Sequence, residues 1–377
     1  MKFINISLLF IAFFLFSCTD NKNNYFQITK NDKSNKDYIL MPLTGAEKIL
    51  LLDPEFKIKK EWNLDANRVR LLPNCNLLII HGSKWGMKQD KWKPLRDRVV
   101  EYNWAGEKVW EYIDGETVHH DVQRTKNETT IFPVRVKVPI EYKNKINNLN
   151  KRKLEIRSDK ILEVSKDKKI LWQWLAHKHL DLNSCGKRKC SDLRNTGELS
   201  DWTHINTVIP IPENKWFDKG DLRFKPGNIM ILPRNWWSVL IIDKETKKIA
   251  WEYQGDSKSG LSGGHEAHMI PKGFPGEGNV LIFDNGRTLH KGESYIIEVN
   301  PISKEIVWKY EAGKDFFSNS AGSVQRLKNG NTFISEDVGG QRIFEVNKNS
   351  KILFDIKSNY RLSRTKKYPV NFCKNLK

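Results

Sequence analysis

The chain has 377 residues, 39% of them hydrophobic, and carries a formal charge of +19, so it can bury a sizeable core while remaining strongly basic. Its lysines cluster in turns (Lys57, Lys59 and Lys60; Lys166, Lys168 and Lys169; Lys366 and Lys367) rather than on one helix or in one tail. Solvated turn lysines account for most of the charge, and a chain that carries an export signal rarely meets nucleic acid, which leaves a general attraction for anionic substrates or membrane surfaces.

Residues 1–18 read as an export signal. Lys2 supplies the charge, residues 5–16 the apolar stretch, and Ser17-Cys18 a small-residue boundary. The apolar run is shorter than the ~20 residues of a spanning helix. The boundary resembles a bacterial lipobox, which implies acylation of Cys18, with a plain cleaved signal as the alternative. Residues 19–37 are polar, rich in Asn and Lys, and read as a flexible tether. Together these segments predict an exported protein of the cell envelope, held to a membrane by its N-terminal lipid.

From residue 38 to 377 the chain reads as one domain. Six times an apolar strand and a turn lead to a large aromatic at nearly constant distance: Leu52 to Trp62, Val100 to Trp110, Leu162 to Trp172, Ile241 to Trp251, Ile297 to Trp308 and Phe344 to Phe354. Between these anchors lies a second unit of two short apolar stretches joined by an Asn, Gly or Pro turn, as in VRLLPNCNLLII (69–80) and SVQRLKNGNTFIS (323–335). Four strands per repeat is the content of a propeller blade, and the anchors pack blade against blade. Five inner units accompany six anchors, so residues 38–43 and 359–372 must pair to complete the ring. The expected fold is all-β, a six-bladed β-propeller closed by its two terminal segments. Insertions at 83–98, 141–160, 176–202 and 254–264 are the candidate walls of a binding site.

Four cysteines follow Cys18. In an oxidising compartment Cys185 and Cys190 suit a local disulfide. A zinc site using them with His177 and His179 is the alternative, although the spacing fits no standard zinc signature. Cys75 and Cys373 can pair only if the ring brings its ends together.

The inner units share a register. His120-Asp121-Val122, His204-Ile205-Asn206 and His265-Glu266-Ala267-His268 begin three consecutive units at one phase, and Gly322 occupies that position in the fifth. Innermost strands line a propeller's channel, so the three histidines should converge near its mouth. Asn206, His268 and Asn285-Gly286-Arg287 follow on the same blades.

The runs Asp201-Trp202-Thr203-His204-Ile205-Asn206-Thr207, Gly264-His265-Glu266-Ala267-His268 and Phe283-Asp284-Asn285-Gly286-Arg287 resemble the bacterial aryl-sulfate sulfotransferases, over most of residues 38–360. The resemblance implies a channel histidine that takes a sulfuryl group from one phenol and passes it to another, with no nucleotide donor and no cofactor. It further implies a small aromatic or sulfated anionic substrate. His120, His204, His265, His268 and Arg287 become the candidate catalytic residues, and Asn206 and Asn285 the substrate ligands. With Gly322 in the late unit and no histidine after His290, an earlier one such as His120 or His268 is the expected acceptor. Two other readings compete: a non-catalytic binding propeller of the envelope, and a metal or quinone site built on the channel histidines.

Overall fold

The computed structural model describes residues 25–188, 190, 195–196, 199–255, 260–290 and 292–376. The export signal, Cys18 and the first part of the expected tether lie outside the described residues. No helix among those described is long and apolar enough to cross a membrane.

Six antiparallel sheets form the six expected blades. The second blade is Arg68–Leu71, Leu77–Ile80, Arg98–Tyr102 and Lys108–Ile113, in that order from channel to rim. The fourth (Ile205–Pro210 to Ile249–Tyr253) and fifth (Glu266–Met269 to Ile306–Tyr310) repeat the pattern. The third blade runs from Gln123–Arg124 at the channel through the long hairpin of Thr130–Lys137 and Glu155–Val164 to Ile170–Leu175. On it, Leu199–Asp201 pairs in parallel with Glu155, Ile156 and Arg157.

Closure follows the expectation. Tyr38–Thr44, Lys48–Leu52 and Ile58–Trp62 supply the outer strands of the first blade, while Arg361–Leu362 and Lys366–Tyr368 form its innermost strand. The Cys75–Cys373 disulfide pins the segment that follows this C-terminal strand to the inner turn of the second blade, joining residues separated by 298 positions. Joining the ends leaves the ring no open seam between its first and last blades.

The anchors do more than fill space. In each of the first five blades the Trp indole N–H donates to a main-chain carbonyl on the outer turn of the next: Trp62 to Trp104, Trp110 to Lys166, Trp172 to Lys244, Trp251 to Pro301 and Trp308 to Lys348, at 2.7–2.9 Å. Phe354 has no such donor. It packs instead against Phe56 of the first blade, with ring centroids 4.9 Å apart.

One expectation needs correction. The tether does not extend to residue 37, because Phe26–Asn31 forms a strand along the rim of the sixth blade, paired with Ile352–Ser358. Only Phe26 of that strand is buried, so the ladder of main-chain bonds holds it. Composition carries no trace of that ladder, and the polar sequence read as a linker.

Candidate active site

The inner strands begin at one mouth of the channel. Below that mouth the channel is filled by ion pairs. Arg68 and Arg70 reach Asp121 at 3.2 and 2.9 Å, Arg68 approaches Glu266 at 3.7 Å, and Lys366 bonds Glu266. Above this plug lies a cavity of about 320 Å³ whose lining includes His119, His120, His204 and His265. Lys84, Arg96, Arg135, Arg234, Arg361 and Arg364 also line it, against Asp337 as the one carboxylate among the described residues.

Local backbone geometry aims these side chains. His120, His204 and Arg364 each lie just before an inner strand with φ of 62°, 55° and 60°, in the left-handed region that non-glycine residues rarely occupy. Strain of that kind persists only where the surrounding structure fixes it. Gly322 holds φ 98°, and a Cβ there would sit 2.6 Å from the Phe283 ring. The sixth blade therefore has no room for a side chain at the register where others present histidine or arginine. Ser320 and Ala321 border the gap.

Each cavity histidine is held through Nδ1. His204 Nδ1 lies 2.6 Å from Asp201 Oδ2. His265 Nδ1 faces Asn285 Oδ1 at 2.7 Å and the Gly263 carbonyl at 3.1 Å. Both partners of His265 are acceptors, so Nδ1 carries the proton and Nε2 the lone pair. His120 Nδ1 meets His119 Nδ1 at 2.6 Å. His119 Nε2 in turn lies 2.9 Å from Asp159 Oδ1, off the ideal hydrogen-bond line. With its proton beside that carboxylate, His119 accepts at Nδ1, and His120 donates. The His120 and His204 rings are 4.8 Å apart. Three imidazoles on consecutive blades thus leave Nε2 without a hydrogen-bond partner among the described residues, that of His204 being buried.

Electrostatics favour the neutral rings. Burial, then His204 and His119, pushes His120 well below the ordinary histidine value. Burial, then Arg234 and Arg364, does the same to His265. Burial and Arg234 lower His204 to about 4 against the opposing pull of Asp201. Although burial resists ionisation of Asp201, His204 and Arg234 hold its carboxyl below the usual range. Asp337 moves the other way, raised to about 6 because burial outweighs its pairing with Arg361.

A second cavity of about 150 Å³ adjoins the first, sharing Arg234 and His265 and adding Arg188, Trp237, Arg287 and Thr288. Of the histidines, His265 alone among the described residues lines both.

The expected site residues divide accordingly. His120, His204 and His265 come together, and Arg287 lies in the adjoining cavity. His268 does not join them; it lies farther along its strand beside Glu266 (3.9 Å), where burial lowers it to about 4. Asn206 is fully buried and donates to the Gly264 carbonyl (3.1 Å), so it fastens the fourth blade to the fifth rather than lining either cavity. Asn285 is also buried, and its amide donates to Ser318 and Ala321, so it positions His265. Cys185 and Cys190 form the expected disulfide, which removes them as thiolate ligands for zinc. His177 and His179 pack on Tyr142 and Trp174. Among the described residues no three His, Cys, Asp or Glu side chains are grouped to hold a metal ion.

Sequence reading missed His119, Asp159, Asp201 and Arg234. The His119-His120 doublet was a visible signal for the first. Asp201 stands three residues before His204 within a motif already singled out. Asp159 reaches the site from the third strand of its blade and Arg234 from the turn after the second strand of the next, and no local pattern marks them.

The fold and site define a class: a six-bladed propeller with one buried, cationic, histidine-lined pocket at a channel mouth. The sequence model of the arylsulfotransferase (ASST) family matches residues 98–359, more than half of the chain, and the chain belongs to that family. Among solved structures, a protein of unknown function from Bacteroides caccae is similar, with TM-score 0.53 and 12% identity over 88% of this chain and 98% of that one. At that identity it supports the fold alone. The dihydro-heme d1 dehydrogenase NirN is more distant, at TM-score 0.38 and 9% identity, with 86% of this chain and 54% of that one covered. No curated protein sequence matches the chain.

Proposed function

We infer that the protein moves a sulfuryl group from an aryl sulfate to a phenol, with His265 as the group carrier. The observation that carries this reading is three neutral imidazoles that line one arginine-rich cavity with Nε2 unengaged in any hydrogen bond, of which His265 alone among the described residues also borders the second. Its Nδ1–H is held by a neutral amide and a carbonyl, which orient the ring without adding charge. His204 is backed by a carboxylate, the arrangement suited to a group that gains and loses a proton.

His265 Nε2 attacks sulfur, the N–S bond forms, and the bond from sulfur to the aryl oxygen breaks with its electron pair going to oxygen. His204, protonated when the anionic ester offsets the surrounding guanidinium charge, gives its Nε2 proton to the leaving phenolate. In the second half the incoming phenol returns a proton to His204, and its oxygen takes the sulfuryl group from His265. Arg234 and Arg364 face the sulfate oxygens, where charge-assisted bonds from the planar guanidinium are strongest. The pair of disulfides supports an oxidising compartment, in keeping with an exported, membrane-held protein acting on small aryl substrates.

The test is a rapid-quench experiment with a radiolabelled aryl sulfate and no acceptor. Label should appear on the peptide carrying His265 and be absent from the His265→Gln variant. Folded protein that takes no label from a panel of donors would sink the reading and leave a binding propeller.

A further inference from the structure

The adjoining cavity has a composition that sulfuryl transfer does not require. Arg188, Arg234 and Arg287 line it, and no carboxylate does among the described residues. Trp237, in the left-handed region at φ 53°, forms one wall, and the Arg188 guanidinium lies over its ring at 4.9 Å.

Arg188 is held there by construction. It sits in the short ring closed by Cys185 and Cys190. That ring is pressed onto the fourth blade. Lys187 N donates to the Trp236 carbonyl at 3.1 Å, and Gly186 takes φ 64° where a Cβ would come within 2.4 Å of the same oxygen. A disulfide, a glycine and a main-chain bond together fix one arginine over one tryptophan. A solvated surface loop needs none of these.

We propose that this cavity is a subsite for a second anionic group on the aryl substrate, a carboxylate or a second sulfo group, with Arg188 as the specificity-determining residue. The proposal rests on the transfer reading above and narrows its substrate class to doubly functional, acidic phenols and their sulfates. The aryl ring bridges the two cavities past His265, with its reacting oxygen in the larger and its acidic substituent against Arg188 and Arg287. Arg234, common to both cavities, stands between the two anionic groups.

The test compares three acceptors with one aryl sulfate donor: 4-hydroxybenzoate, 4-hydroxybenzenesulfonate and the near-isosteric neutral 4-hydroxybenzamide. We expect kcat/KM for at least one anion to exceed that for the amide by about tenfold or more, the scale of one hydrogen-bonded charge contact. The two anions distinguish a carboxylate subsite from a sulfo subsite. In Arg188→Gln the ratio of anion to amide should fall towards one. The Cys185→Ser/Cys190→Ser double variant should lower the same ratio, since it frees the ring while keeping the arginine. A ratio near one in the intact protein overturns the proposal, as does a ratio that both variants preserve.

Calorimetric titration without donor separates this from the transfer reading. Binding of either anion that depends on Arg188, in protein that sulfates no phenol, sustains the subsite and ends the transfer assignment. Equal binding of the anions and the amide ends the subsite, whatever the transfer assay gives.

Discussion

Removing the Cys75–Cys373 bond probes how the ring is closed. In the chain-entropy account a cross-link limits the unfolded chain, and its effect grows with the loop it closes. For a separation of 298 residues that account gives about 6 kcal/mol. For Cys185–Cys190, separated by 5, it gives about 2 kcal/mol. The Cys75→Ala/Cys373→Ala double variant should therefore lose about 4 kcal/mol more stability than Cys185→Ala/Cys190→Ala. Both cysteines of the long link are buried, with Tyr368 and Leu376 in the same cluster, so alanine keeps the site apolar. Urea titration followed by tryptophan fluorescence measures both losses. The consequence reaches the active site, because the strand behind this link supplies Arg361 and Arg364 to the cavity. If the long link costs no more than the short one, the disulfide does not secure the closure, and the pairing of Tyr38–Thr44 with the C-terminal strand suffices.

Other outcomes follow from the same geometry. Asp201→Asn keeps the shape beside His204 but removes its carboxylate, and should lower kcat by roughly 10²–10⁴-fold; the loss should be steepest for poor phenolate leaving groups, and an equal loss across donors would argue against His204 as the acid. Trp251→Phe leaves the buried Pro301 carbonyl without its donor and should cost about 1–3 kcal/mol, while Trp308→Phe, whose bond to Lys348 is exposed, should cost about half a kcal/mol or less, both read from urea midpoints. Gly322→Ala must push back the Phe283 ring and hold alanine at φ 98°, for a loss of at least about 2 kcal/mol by thermal unfolding; a neutral result would refute the packing account of that glycine. His81, fully buried between the Asp65 carbonyl and Tyr102 Oη, is lowered by burial to about 4. A depressed histidine contributes stability that is present above pH 6.5 and lost as pH falls through 4, so the unfolding free energy read from urea titration should drop between pH 7 and 4.5 by roughly 2–3 kcal/mol per such ring. His204 and His268 lie in the same window and deepen the fall, and a flat profile would contradict their burial as neutral groups.

The repeat was legible because its cause is local. A strand needs alternating apolar residues, an outer turn needs Asn, Gly or Asp, and an indole at the blade's edge needs a carbonyl one blade away. Those demands recur with the blade and leave a period in the sequence. The register of His120, His204 and His265 was legible for the same reason, since equivalent positions on inner strands reach one mouth. His268 and Asn206 share that register's neighbourhood, yet depth along the channel separates them from the cavity.

Sequence alone therefore determined the ring, its closure by the two ends, and three of the histidines in its pocket. Only the tertiary structure decided what each histidine can do. Their tautomers depend on Asp159, Asp201 and Asn285, which come from other strands. Their neutrality depends on burial and on Arg135, Arg234 and Arg364, which come from three different blades. The arginine held over Trp237 by a disulfide is the same kind of fact. It arises from three segments meeting in space, and no spacing along the chain records that meeting.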